Sequence, residues 1–188
     1  MIISGIVLLF AAFLVWLFIA SSQPLPGQKI EDLGRKHIQI GEEVDYNSNP
    51  PTSGPHYEDW IRAGVYESAK DDRNLVHSLE HGYVIMHYKC ISVIPSASEE
   101  SQDLQSTDSS PSAQNDTTKE CEERKNQLAQ IYEKKGKRKL IVVPRENLDS
   151  NFALTAWNYI DKLNDFDQAR IEKFIDAHLN QGPEKTME

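Results

Sequence analysis

The sequence predicts an α+β fold: one N-terminal transmembrane helix followed by one small domain with a mixed β-sheet. Three observations carry this. Residues 2–20 are almost wholly apolar, broken only by Ser4 and Gly5. Residues 83–88 and 139–144 are short apolar runs rich in β-branched and aromatic side chains, the composition of buried strands. Residues 165–179 place Ile171, Phe174, Ile175, His178 and Leu179 at helical spacing, which makes one apolar face. The C-terminal half therefore runs β-α-β-β-α, with its helices expected on one face of the sheet.

The N-terminal segment comes first. At 1.5 Å per residue, residues 2–20 span about 28 Å, close to the hydrocarbon thickness of a bilayer. Residues 1–22 therefore read as a membrane anchor and 23–31 as a linker carrying Pro24, Pro26 and Gly27. Ala20-Ser21-Ser22 also has the small residues of a cleavage site. No basic residue precedes the segment, however, and the run is long for a signal peptide. Lys29, Arg35 and Lys36 follow it, which on a positive-inside count favours a cytoplasmic domain. The cysteine pair described below weighs towards the outside, and an extracytoplasmic domain is the expectation adopted.

Residues 32–184 read as one soluble domain. In residues 34–46 a short apolar alternation, Ile38, Ile40, Val44 and Tyr46, suggests one or two strands around a turn at Gly41. Residues 47–56 hold Pro50, Pro51, Gly54 and Pro55, which exclude both helix and strand and make a stiff loop. Residues 57–63 are expected to form a short helix carrying Trp60. Residues 75–81 make one or two helical turns that Gly82 stops, and 83–88 a central strand. Residues 95–118 are rich in Ser, Asp, Gln and Thr, too poor in apolar surface to offset chain entropy, and are expected to be a disordered insertion. A helix follows from Cys121 to Lys135, with Leu128, Ile131 and Tyr132 on one face, and Gly136 terminates it. Then come the strand at 139–144, a further strand or helix at 152–160, where Thr155, Trp157 and Tyr159 favour strand, and the amphipathic helix between an Asp165 N-cap and a Gly182 C-cap.

The 188 residues carry a formal net charge of -9, which argues against a nucleic-acid partner, since that needs a basic surface. The sequence names no protein partner; its one expected partner is the membrane, through residues 2–20. Cys90 and Cys121 flank the insertion and are expected to form a disulfide in an oxidising compartment. Free buried thiols or copper ligands are the alternatives. There is no C-x-x-C, and hence no thioredoxin-type redox motif.

Histidine is the chemically informative residue. His77-Ser78-Leu79-Glu80-His81 puts two imidazoles at i and i+4 on one helix face, where they can share a metal ion. The order H-x-x-E-H also matches a hydrolase motif in which Glu80 would act as general base on a metal-bound water. His56 closes the stiff proline loop, and His37 lies upstream. Four of the six histidines fall between His37 and His81. Converging imidazoles suit Zn or Cu. Met86 and His87 alternate on the next strand, so at most one of them can join; Met86 would favour Cu(I).

Three blocks carry a resemblance: Asp32-Leu33-Gly34-Arg35-Lys36-His37, Tyr46-Asn47-Ser48-Asn49-Pro50-Pro51-Thr52-Ser53-Gly54-Pro55-His56-Tyr57, and Leu75-Val76-His77-Ser78-Leu79-Glu80-His81-Gly82. With Ala153-Leu154-Thr155-Ala156-Trp157 and Gly182-Pro183-Glu184 they resemble the family catalogued as domain of unknown function 3105. The resemblance covers about residues 30–92 and 120–184, and residues 95–118 look like an insertion into it. It implies a membrane-anchored, mostly prokaryotic protein and supports His37, His56, His77, Glu80 and His81 as site residues, but it implies no reaction.

The functional expectation is a histidine-rich site binding Cu or Zn, with His37, His56, His77 and His81 as metal ligands and Glu80 orienting an imidazole. A domain binding a peptide or glycan without metal, and a metal-dependent hydrolase with Glu80 as base, are the alternatives. Enzymatic activity is left open.

Overall fold

The protein is described from a computed structural model covering residues 10, 11, 13–16, 24–90 and 111–186, with backbone alone for 111–117. Phe10, Ala11 and 13–16 are helical; the rest of the expected anchor, and residues 95–110 of the expected insertion, lie outside the described residues. Among the described residues no helix is long and apolar enough to cross a membrane.

The domain is built on a mixed sheet. Its strands are β1 (Gln28–Lys29), β2 (Gly64–Val65), β3 (Val84–Lys89), β4 (Leu140–Arg145), β5 (Phe152–Ala156) and β6 (Tyr159–Leu163). They lie side by side in the order β1-β6-β5-β3-β4-β2. Strand β3 is central, parallel to β4 and antiparallel to β5. The helices are α1 (Asp72–Glu80), α2 (Pro111–Lys134) and α3 (Gln168–His178).

The sheet is covered on both faces rather than on the one expected. Val84, Met86 and Tyr88 alternate to one side of β3, where with Leu140, Val142 and Leu154 they form the main core under Leu128 and Ile131 of α2 and Ile171, Phe174 and Ile175 of α3. Ile85, Ile141 and Val143 face the other way and pack with Leu75 and Leu79 of α1. The reason lies in the strands: β3 and β4 are apolar on both faces, and such strands need cover on both sides.

Several local expectations change. Residues 34–46 form no strand; the segment makes one isolated parallel bridge, His37 to His56, and a turn at Ile40–Gly41. Residues 57–63 are irregular rather than helical. The run 152–160 is two strands, β5 and β6, folded about Trp157 and Asn158, with Asn158 at φ 64. Helix α2 begins at Pro111, not Cys121, so residues 111–118 of the expected insertion are helical. Helix α3 is capped by Asp167, whose carboxylate accepts from the Arg170 amide at 3.0 Å, and it ends at Leu179 rather than Gly182. Cys90 and Cys121 are disulfide-bonded with Cα atoms 5.0 Å apart, tying the end of β3 to α2.

The proline loop is ordered inside the domain. Residues 50–54 are buried, with a cis bond between Asn49 and Pro50. Ser53 Oγ accepts from the Leu33 amide at 3.1 Å, and the Gly54 amide donates to Gly34 O at 3.0 Å. The Thr52 carbonyl accepts from the Asn158 amide at 3.1 Å, so the hairpin turn helps to hold the loop.

A histidine and glutamate cluster as candidate metal centre

Three segments supply the site. The first is the stretch around His37. The His56 amide donates to Lys36 O at 3.0 Å and the Ile38 amide to His56 O at 2.9 Å, which lays His37 beside His56. The second is the proline loop, which buries His56 completely. Gly54 sits at φ +125, and a Cβ there would meet the Tyr46 ring at 3.0 Å. The third is α1, nucleated by Asp71, whose carboxylate accepts from the Arg73 amide at 2.9 Å. His77, Glu80 and His81 follow at i, i+3 and i+4, on one helix face. Gly82, at φ +81, lets the chain turn away.

Backbone carbonyls fix the tautomers of two rings. His56 Nδ1 lies 2.8 Å from Gly54 O, and His77 Nδ1 lies 2.8 Å from Tyr57 O. A carbonyl only accepts, so each Nδ1 carries a proton, which leaves Nε2 as the ring nitrogen placed to ligate. This is the usual arrangement of a metal-binding histidine. Burial first, and then the surrounding His81, His56 and His37 rings, push His77 down to about 4 against the opposing effect of its Tyr57 bond. At neutral pH His77 is therefore uncharged and able to ligate.

The donor atoms converge. One ligand atom each from His37, His56, His77 and Glu80 lies within 4.8 Å of all the others. His56 Nε2 and Glu80 Oε2 are 2.9 Å apart, and His77 Nε2 and His81 Nε2 are 3.1 Å apart. Tetrahedral zinc with Zn–N of about 2.05 Å separates neighbouring donors by roughly 3.3 Å. The His56–Glu80 contact is near that edge, whereas the His77–His81 contact pairs a donor of the group with a ring outside it. His56 Nε2 and Glu80 Oε2 are also buried, and beyond their contact with each other neither has a hydrogen-bond partner. Buried polar atoms without hydrogen bonds are costly unless something else fills the role, and an ion between them would do so.

The group differs from the expected one by an exchange. Glu80, expected to orient an imidazole or, in a hydrolase, to act as base, offers an oxygen to the group; His81, expected as a ligand, lies outside the four-residue group and touches His77. Both face the same way from α1, so spacing alone could not rank them. The Trp60 ring covers this side, with centroids 5.5 Å from His77 and 4.8 Å from His81. Arg35 stands at the other side, its Nη1 3.6 Å from Glu80 Oε1. Sequence reasoning did not single out Arg35. Its signal was the period-two spacing to His37 in an extended segment.

The remaining candidates are elsewhere. His87 is buried between β3 and β5, its Nε2 3.1 Å from Thr155 Oγ1. His178 bonds Pro26 O at 2.8 Å. Met86 lies in the core on the opposite face of the sheet, and the cysteines are consumed by their bond. The donor set is thus three nitrogens and one carboxylate, with no sulfur.

Residues 37–188 match the family described as protein of unknown function DUF3105. The chain belongs to this family. No curated protein and no solved structure matches it. In this DUF3105 chain the matched span begins at His37, so all four donors fall within it.

Proposed function

We propose that this DUF3105 domain binds one divalent transition-metal ion, Zn(II) or Cu(II), through His37, His56, His77 and Glu80. The observation that carries the proposal is that His56 Nε2 and Glu80 Oε2 are buried with no partner beyond their own 2.9 Å contact, in a group where the Nδ1 atoms of His56 and His77 are already committed to carbonyls. Imidazole nitrogen and carboxylate oxygen suit Zn(II) and Cu(II); Cu(I) prefers sulfur, which this group lacks. As a ligand, Glu80 is unavailable as a general base, so the geometry favours metal binding over hydrolysis by the H-x-x-E-H mechanism.

The setting belongs to the same proposal. The apolar residues 2–20 support a membrane tether, and the Cys90–Cys121 bond supports an oxidising, extracytoplasmic location.

Titration with Zn(II) after chelator treatment tests the metal reading. One equivalent should bind and raise the thermal midpoint, because an ion that binds only the folded state stabilises it. His56→Ala and His77→Ala should each weaken binding by at least about 100-fold while the chain stays folded, the upper end of what losing even an outlying metal-site partner costs. Full-affinity binding by both variants would refute the assignment.

A further inference from the structure

The cluster is enclosed on one side and open on the other. His56, His77 and Glu80 are buried, whereas His37 is exposed. Arg35 is on this open side. In the extended stretch paired with 54–56, alternate residues share a face, so Arg35 follows His37 towards the site and Lys36 points away. The Arg35 side chain is half exposed and reaches Glu80 Oε1 at 3.6 Å, a distance too long for a good hydrogen bond. Its guanidinium is held near Glu80 without being consumed by it.

Charge decides what fits there. A divalent ion with three neutral imidazoles and one carboxylate leaves a positive charge uncompensated. Arg35 adds a second. Two further carboxylates are close: Asp32, which accepts from Trp157 and Asn158 and feels the Arg35 charge, and Glu184, more than half exposed and 3.9 Å from His81 Nε2. The metal charge left over by its ligands, with the Arg35 guanidinium beside it, still sets two cationic centres next to each other on a chain of net charge -9. A partly enclosed spot of this kind concentrates anions.

We infer that the loaded site takes a small oxyanion, such as a carboxylate or phosphate, as a fifth ligand on the exposed His37 side, bridging the metal and the Arg35 guanidinium. One oxygen would ligate the metal and another would accept from Arg35, whose planar fork matches two-oxygen anions. The inference rests on the metal reading above, and its test separates the two.

The test uses the full chain loaded with Cu(II). Acetate and inorganic phosphate are titrated in separate runs, and the visible absorption of the copper is followed. At least one anion should shift the spectrum saturably. Arg35→Gln should bind copper with unchanged stoichiometry and lose about tenfold or more in anion affinity, Arg35→Lys should recover part of it, and Lys36→Gln should behave as wild type. Loaded protein whose spectrum responds to neither anion would overturn the inference while leaving the metal reading intact. So would equal anion affinity in wild type and Arg35→Gln. Failure to take up copper at all would instead remove the metal reading, and this inference with it.

Discussion

At the residue scale, burial sets the chemistry of the histidines. His77 is pushed down to about 4, His87 well below its ordinary range, and His178 also down, each chiefly by burial. A base with a lowered folded pKa binds fewer protons when folded than when unfolded. Its stabilising contribution is complete above the unfolded value of about 6.5 and is lost as pH falls below it, for His77 down to about 4. Within that window each such imidazole changes stability by up to about 1.4 kcal/mol per pH unit. Chelator-treated protein should therefore have a lower urea midpoint at pH 5 than at pH 7, and an unchanged or higher midpoint would contradict this account of burial. The grouping of these residues was largely legible in the sequence: His77 and Glu80 share a helix face by spacing, and His56 ends a loop that prolines stiffen. The division of roles between Glu80 and His81 was not, because both face the same way and only the folded positions of His37 and His56 decide which one converges.

At the scale of elements, the sequence was clearest where composition was extreme. The apolar β-branched runs became β3 and β4, and the periodic face of Ile171, Phe174 and Ile175 became the buried side of α3. It misled where alternation served another end. Ile38 and Ile40 suggested a strand, yet Ile40 is 86% exposed, and this segment delivers His37 and Arg35 instead of pairing in the sheet. The β5–β6 hairpin was hidden because its turn uses Trp157-Asn158 without a glycine, although Asn is among the residues that tolerate positive φ. The Cys90–Cys121 bond joins two elements across a separation of 31 residues. On the chain-entropy model, closing a loop of that length stabilises by about 3.7 kcal/mol. Replacing both cysteines with Ser should lower the unfolding free energy by roughly that amount, measured by urea denaturation, and leave metal stoichiometry unchanged. A double variant as stable as wild type would show that the bond adds nothing to the fold.

At the scale of the whole molecule, the sheet separates two tasks. One face carries the large core under α2 and α3; the other carries α1, whose Leu75 and Leu79 anchor it while His77 and Glu80 project to the cluster. The C-terminal tail completes that side. The Glu184 amide donates to Glu80 O at 3.0 Å, and Lys139 Nζ, itself buried, donates to His81 O at 2.9 Å and Thr186 O at 2.9 Å. Cover on both faces could have been anticipated, since strands apolar on both sides demand it. The tail's role could not, because it depends on backbone contacts that no side-chain pattern announces.

The most direct test of the central claim is elemental analysis of the full chain purified without a histidine tag and without chelator. Close to one equivalent of zinc or copper is expected, lost when His56 and His77 are both replaced by Ala in a chain that remains folded. Folded wild-type protein that carries no metal and takes up neither ion on titration would contradict that claim.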